Sequence, residues 1–148
     1  SLAGKYLTIH LSGEAYAIDV KQIREIIRCQ KITPVPQLPV FCKGVINLRG
    51  RIIPITDLRT RFGLPEDITS RTCIVVVQTQ RASGTFAQTG LIVDRVDEVS
   101  QIGAADIEPK PEFGVQVDSR YLRGMAKSGG TVRILLDLER ILETDTGY

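Results

Sequence analysis

The chain has 148 residues, 43% of them hydrophobic and 24% charged, and a net charge of +2, which fits one compact domain or two very small lobes sharing a core. Its longest unbroken apolar run, Cys73-Ile-Val-Val-Val77, is far short of the roughly 20 residues that span a bilayer. The opening residues do not read as a secretory leader, and the charge is too small to imply a nucleic-acid partner, so the expectation is a soluble cytoplasmic protein. Residues 1–70 carry +4 and residues 71–148 carry −2, an asymmetry that would favour head-to-tail contact between similar modules.

Strand signals begin at once. Tyr6-Leu-Thr-Ile-His-Leu11 alternates, Ser12-Gly13-Glu14 turns the chain and Ala15-Tyr-Ala-Ile18 returns it, which predicts an antiparallel hairpin. Asp19 with Gln22 reads as an N-cap pair for a short turn over 20–25. Next comes a proline- and glycine-framed stretch, Pro36-Gln-Leu-Pro-Val-Phe-Cys-Lys-Gly44, where Gly44 and Gly50 allow tight geometry or close approach of another chain. Asn47 and Arg49 stand at alternate positions, which predicts that both project from one strand face. Arginine's rigid fork of donors suits protein interfaces. The competing reading is a hairpin turn at Arg49-Gly50-Arg51 with solvated arginines. Asp57 and Asp137 each precede a helical stretch and are expected to cap it. Leu64-Pro-Glu-Asp67 has linker chemistry, and Cys73 to Thr79 with Thr89 to Val93 forms a second predicted hairpin.

The two halves repeat one another. Gly44, Gly50, Asp57-Leu58 and Phe62 recur as Gly124, Gly130, Asp137-Leu138 and Leu142, each offset by 80 residues. Ile23-Arg-Glu-Ile26 matches Val96-Asp-Glu-Val99 at an offset of 73, and Ile32-Thr-Pro-Val-Pro36 matches Ile107-Glu-Pro-Lys-Pro111 at 75. Three matches in the same order mark a tandem repeat. The prediction is an all-β chain of small barrels with short helical turns. It forms one domain over 5–143, with lobes of about 5–66 and 71–143 that bury surface against each other and leave strand exchange open.

No catalytic constellation emerges. His10 is the single histidine and reads as a half-exposed strand residue. Asp94, Asp97 and Glu98 lie between Val93, Val96 and Val99 and read as a solvated face rather than a metal site. Cys29, Cys42 and Cys73 are widely spaced among apolar neighbours and are expected to be buried, reduced thiols. Phosphate loops and a nucleophile elbow are missing, so neither metal nor cofactor is expected. Lys43, Arg49, Arg51, Arg59 and Arg61 make a basic neighbourhood that could track a phosphate backbone, but only Phe41 and Phe62 accompany it as stacking candidates.

The string Gly44-Val-Ile-Asn-Leu-Arg-Gly-Arg-Ile-Ile-Pro-Ile-Thr-Asp-Leu-Arg59, followed by Phe62, resembles the signature of the CheW family of chemotaxis coupling proteins. Tyr16-x-Ile-Asp19, Ile23-x-Glu-Ile26, Gly90-x-x-Val-Asp94, Pro109-x-Pro-Glu-Phe113 and Tyr121-Leu-x-Gly124 agree with it, so the likeness runs over roughly 5–142. The resemblance implies two five-stranded SH3-like barrels packed together and a non-catalytic adaptor. Its implied partners are the cytoplasmic tip of a methyl-accepting chemoreceptor and the regulatory domain of the CheA histidine kinase. Such an adaptor is recruited to membrane-associated receptor arrays without inserting into the membrane. Carried over by motif, Ile23, Gly44 and Arg49 fall at the receptor-contact surface, and Asn47 joins them because the second repeat copy lacks it. Glu25 falls on a first-lobe kinase surface and Phe113 on a second-lobe one. A groove between the lobes, lined by Ile and Val, would receive an apolar helical face. The same motifs are compatible with the adaptor portion of a CheV-type protein or with a pilus-motility pathway. Outside this class, the competing reading is a nucleic-acid-binding small barrel.

Overall fold

The first hairpin forms as its alternation dictates. Strand β1 (Gly4–Leu11) pairs antiparallel with β2 (Glu14–Asp19), and Ser12 and Gly13, at φ 51° and 83°, make the two-residue turn whose twist matches the strands. The computed structural model describes residues 2–108, 118–128 and 130–143. Its further strands are β3 (Ile23–Arg28), β4 (Cys42–Leu48), β5 (Arg51–Asp57), β6 (Cys73–Gln80), β7 (Phe86–Val93) and β8 (Arg95–Ile102). A two-residue β9 (Ile107–Glu108), β10 (Leu122–Ser128) and β11 (Thr131–Leu136) complete the set. Helices α1 (Leu58–Arg61) and α2 (Leu138–Leu142) and three 3₁₀ turns are all short, so the chain is all-β. Among the described residues no helix is long and apolar enough to cross a membrane.

The strands make two sheets that do not follow the two sequence halves. One has the order β8-β1-β2-β11-β10-β9 and the other β3-β6-β7-β5-β4. Each half therefore lends its opening hairpin to the sheet of the other half. The joins are the two parallel pairings, β11 with β2 (Leu135 opposite Ala17) and β5 with β7 (Ile55 opposite Gly90). The first sheet has six strands rather than five because of the short β9.

This exchange explains the apolar run in β6. Ile74 and Val76 face a core inside the second sheet with Ile46, Ile53 and Ile55, whereas Val75 and Val77 face a larger core shared with the first sheet. A strand buried on both faces needs apolar residues at every position. The shared core takes Leu7, Ile9 and Tyr16 from the first sheet and Leu91 and Val93 from the second, with Leu58, Leu138 and Ile141 from the helices. Inside the first sheet lies a smaller core of Tyr6, Ala17, Ile102, Ala126 and Leu135.

Repeat mates occupy equivalent places. Gly44 and Gly124 each sit where strand pairing slips by one residue, in β4–β5 and β10–β11 respectively. The Asp57 N–H donates to the Phe41 carbonyl and the Asp137 N–H to the Tyr121 carbonyl, both at 2.8 Å. Both aspartates cap as expected, Asp57 accepting from the Arg59 N–H and Asp137 from the Arg140 N–H. Asp19 also caps, accepting from Lys21, while Gln22 reaches away to Glu139.

Arg59 is a charged residue buried inside this fold, only 2% exposed. Its guanidinium donates to both carboxylate oxygens of Asp57 at 2.9 Å, to Asp94 Oδ1 at 3.0 Å and to the Asp67 carbonyl. Asp94 in turn accepts from the Ser12 N–H at 2.7 Å. The expected solvated face therefore holds for Asp97 and Glu98 but not for Asp94, which is half-buried against Arg59. The paired carboxylates raise the Arg59 pKa further above its ordinary value, with the Asp57 hydrogen bonds the largest cause. Replacing Arg59 by Met leaves two carboxylates facing an apolar chain, and a loss of about 3–5 kcal/mol is expected in urea denaturation. A loss below about 1 kcal/mol would show that this group behaves as a surface pair.

Candidate partner-binding site

The first barrel ends in a tight hairpin. Leu48 is opposite Arg51, so Arg49 and Gly50 form a two-residue turn with φ 51° and 85°. The Asn47 side-chain oxygen accepts the Gly50 N–H at 2.8 Å and fixes that turn. Arg49 thus stands in the turn rather than beside Asn47 on a strand face, which corrects the sequence expectation; the hairpin reading was the right local geometry. Arg49 is not simply solvated either, because its Nη2 donates to Glu25 Oε2 on β3. Strands β3 and β4 are the two edges of this sheet, so the pair links edge to edge across the barrel mouth. The Arg49 hydrogen bond holds the Glu25 carboxyl below the usual carboxylate range, and Glu25 raises Arg49 in return. Residues expected on separate receptor and kinase surfaces share one ion pair.

Gly44 has a different role in the geometry. It is buried at φ 134°, and a side chain there would overlap the Thr33 carbonyl oxygen and lie 2.8 Å from its carbon. Only glycine permits Thr33 and Val45 to exchange their two hydrogen bonds, at 2.8 and 2.9 Å. That bridge docks the loop after β3 onto β4. It also shapes a cleft of about 190 Å³ lined by Val35, Leu38, Phe41, Val45, Pro54 and Leu142.

A second apolar surface lies along the free edges of the two sheets. Ile26 is opposite Val75 and Val99 is opposite Leu7, so both point toward the side of the shared core. Ile23 and Val96 pack against that core, yet Ile26 and Val99 are 44% and 56% exposed. Isolated exposed apolar residues are ordinary; these four occupy matched positions of the repeat on the edge strands β3 and β8. The motif comparison had aligned these segments without marking Ile26 or Val99 as surface residues. The alternation of each strand could have found them.

The basic neighbourhood is not a free cationic track. Arg59 is buried, Lys43 pairs with Glu66 at 2.7 Å and Arg51 bonds Gln88 at 2.8 Å. Arg61 stacks its guanidinium 4.2 Å over the Phe41 ring and bonds the Ile141 carbonyl. Phe62 is held between Tyr16 and Tyr121, with ring centroids 6.0 and 5.9 Å away. These contacts occupy the groups that a nucleic-acid reading needs free. His10 is half-buried, 3.3 Å from Asp97. Among the described residues no cluster of three or more metal-ligating side chains occurs. All three cysteines are free, but none is fully buried as expected: Cys42 and Cys73 are half-buried, and Cys29, just beyond β3, is exposed. Burial pushes the Cys73 thiol up from its ordinary value. Phe113 lies outside the described residues.

Comparison with known proteins matches residues 5–146 to the family model of the CheW-like domain. The chemotaxis protein CheW of Klebsiella aerogenes is 35% identical over 143 residues, 95% of this chain and 82% of that protein. The chemotaxis protein CheW of Bacillus subtilis is 33% identical over 144 residues, 96% and 88% of the two chains. The crystal structure of the scaffolding protein TtCheW from Thermoanaerobacter tengcongensis superposes with a TM-score of 0.84 at 32% identity, covering 98% of this chain and 91% of that one.

The depressed Glu25 carboxyl gives a pH signature. Its ion pair is intact above the ordinary carboxylate pKa of about 4.3 and is lost only as pH falls through the lower folded value. Carboxyl-carbon NMR should show Glu25 titrating below the ordinary range in the wild type and back within it in Arg49→Met. A midpoint unmoved by the substitution would mean that the pair does not persist in solution.

Proposed function

The chain belongs to the CheW-like family, and on that premise we propose that it is a non-catalytic adaptor coupling methyl-accepting chemoreceptors to a CheA histidine kinase. The observation that carries this reading is the family match over residues 5–146, in a chain that exposes Ile26 and Val99 at matched positions of the repeat on edge strands. An adaptor needs surfaces rather than a reaction centre.

The receptor's cytoplasmic tip is a helical hairpin by the family resemblance, and a helix docks by laying an apolar stripe into a groove. Ile23, Ile26, Val96 and Val99 supply apolar positions for such a stripe along the free edges of the two sheets. Arg49 and Asn47 belong to the rim, where charges set register and specificity more than affinity. Gly44 contributes through the loop it lets dock. Glu25, and Phe113 by motif, face the kinase's regulatory domain. Because Glu25 is held by Arg49, the receptor-side and kinase-side contacts are mechanically joined at one pair.

Receptor and kinase binding should therefore respond together to a charge change there. Arg49→Asp sets two acids against each other on an exposed turn, which leaves the fold intact. It should weaken pull-down of a receptor cytoplasmic fragment and lower receptor-stimulated kinase activity. The double reversal Arg49→Asp with Glu25→Arg restores the pair and should recover part of both. Wild-type coupling in the single variant would remove the assigned role. Co-purification with the kinase regulatory domain and the receptor fragment, singly and together, tests the adaptor reading itself. Capture of neither partner would refute it.

A further inference from the structure

In the core of the first barrel, Ile46 and Ile53 face each other across β4 and β5. At an offset of 80 residues, β10 and β11 set Ala126 opposite Arg133. An arginine thus stands where the repeat mate is a core isoleucine. Arg133 is 8% exposed, and its Nε and Nη1 have no hydrogen-bond acceptor among the described residues. Its Nη2 reaches Glu98 Oε1 at 3.4 Å, near the outer limit of a hydrogen bond. The Thr8 hydroxyl is also buried without a partner among the described residues. Thr8 lies on β1 of the same sheet, at the irregularity in β1–β8 pairing that Glu98 adjoins.

Burying a guanidinium with unmet donors is costly, and native proteins carry few such groups. A hydrophobic residue would fill this position, as Ile53 does in the other copy. The resident acceptor is a carboxylate held loosely by an exposed side chain, and Glu98 is the repeat mate of Glu25, which takes a close hydrogen bond from Arg49. Carboxylate oxygens are the natural complement of a guanidinium.

We propose that Arg133 is a carboxylate-recognition site in the second barrel, with Glu98 as its exchangeable occupant. An incoming carboxylate, presented by a protein partner, displaces Glu98 and meets the donors that Glu98 leaves unmatched, and the Thr8 hydroxyl adds a further donor.

The test follows arginine Nε–Hε resonances in the full chain. Sodium acetate is titrated in one arm and the blocked peptide Val-Glu-Val-Glu-Val in the other, with sodium chloride matching ionic strength. The expected result is a saturable shift of the Arg133 resonance. In Glu98→Ala, where the resident competitor is gone, binding should tighten by roughly tenfold. A response to the peptide alone assigns the site to a protein surface, and a response to acetate as well assigns it to the carboxylate group irrespective of carrier. Arg133→Met should stay folded, melt higher and lose the response. No movement of the Arg133 resonance with either probe, in the wild type and in Glu98→Ala, overturns the proposal. Undiminished peptide binding by folded Arg133→Met does the same. If that variant does not fold, the wild-type and Glu98→Ala titrations decide the question.

Discussion

One buried arginine holds the exchange of hairpins in place. Arg59 emerges from the first turn after β5, takes both oxygens of Asp57, and reaches Asp94 at the end of β7 and the backbone of the linker at Asp67. Asp94 then receives the N–H of Ser12, in a hairpin that belongs to the other sheet. Three segments accept from a single guanidinium, and Asp94 ties a fourth, the β1–β2 turn, to them. Burying these charges is tolerable only because the donors and carboxylate oxygens are matched at hydrogen-bond distance. Hydrophobic packing is non-directional and would accept a sliding of one sheet over the other. A fork of fixed donors does not.

The second copy solves the corresponding problem with less. At the position of Arg59 it has Glu139, exposed on α2, which accepts the Gln22 side chain at 2.9 Å and the Gln80 N–H at 3.0 Å. The link joins α2 to a 3₁₀ turn of the other half at Gln22 and to β6 of its own half at Gln80, in solvent and by single bonds. Near the pseudo-symmetry axis the two helices touch directly, through Arg61 to the Ile141 carbonyl, while Phe62 fills the space between Tyr16 and Tyr121. The two barrels are therefore tied at one rigid corner and one softer one.

Much of this was legible in the sequence because it depends on local chemistry. Alternation gave the hairpins, the aspartate caps fell where Asp57 and Asp137 predicted them, and the repeat located the bulge glycines. Which hairpin joins which sheet was not legible, since an identical pattern of alternation serves either partner. Nor was the fate of the arginines. Arg49, Arg51, Arg59 and Arg61 look alike in a string of residues, yet one is buried, one caps a ring and one bridges sheet edges. Arg133 was hidden for a subtler reason. Ile134 and Leu136 supply enough apolar character for β11 to read as an ordinary strand, although the offset of 80 residues sets Arg133, not Ile134, at the place of Ile53, as the register also does.

That substitution bears on how the copies diverged. The edge-strand acid is kept in both, as Glu25 and Glu98, and in both an arginine from the terminal hairpin answers it. The answering arginine has moved from the turn, at Arg49, to the strand interior, at Arg133. A pair on an exposed turn is screened by water and salt, so either member can change partners at little cost. A guanidinium drawn inside a barrel is different, because each unmet donor there raises the free energy of the closed state and favours any arrangement that supplies an acceptor. The shared positions, Gly44 with Gly124 and Asp57 with Asp137, specify how each barrel closes. The acid–arginine pairs are where two closures of the same design acquire different surfaces, one ready to exchange and the other waiting for the acceptor that completes it.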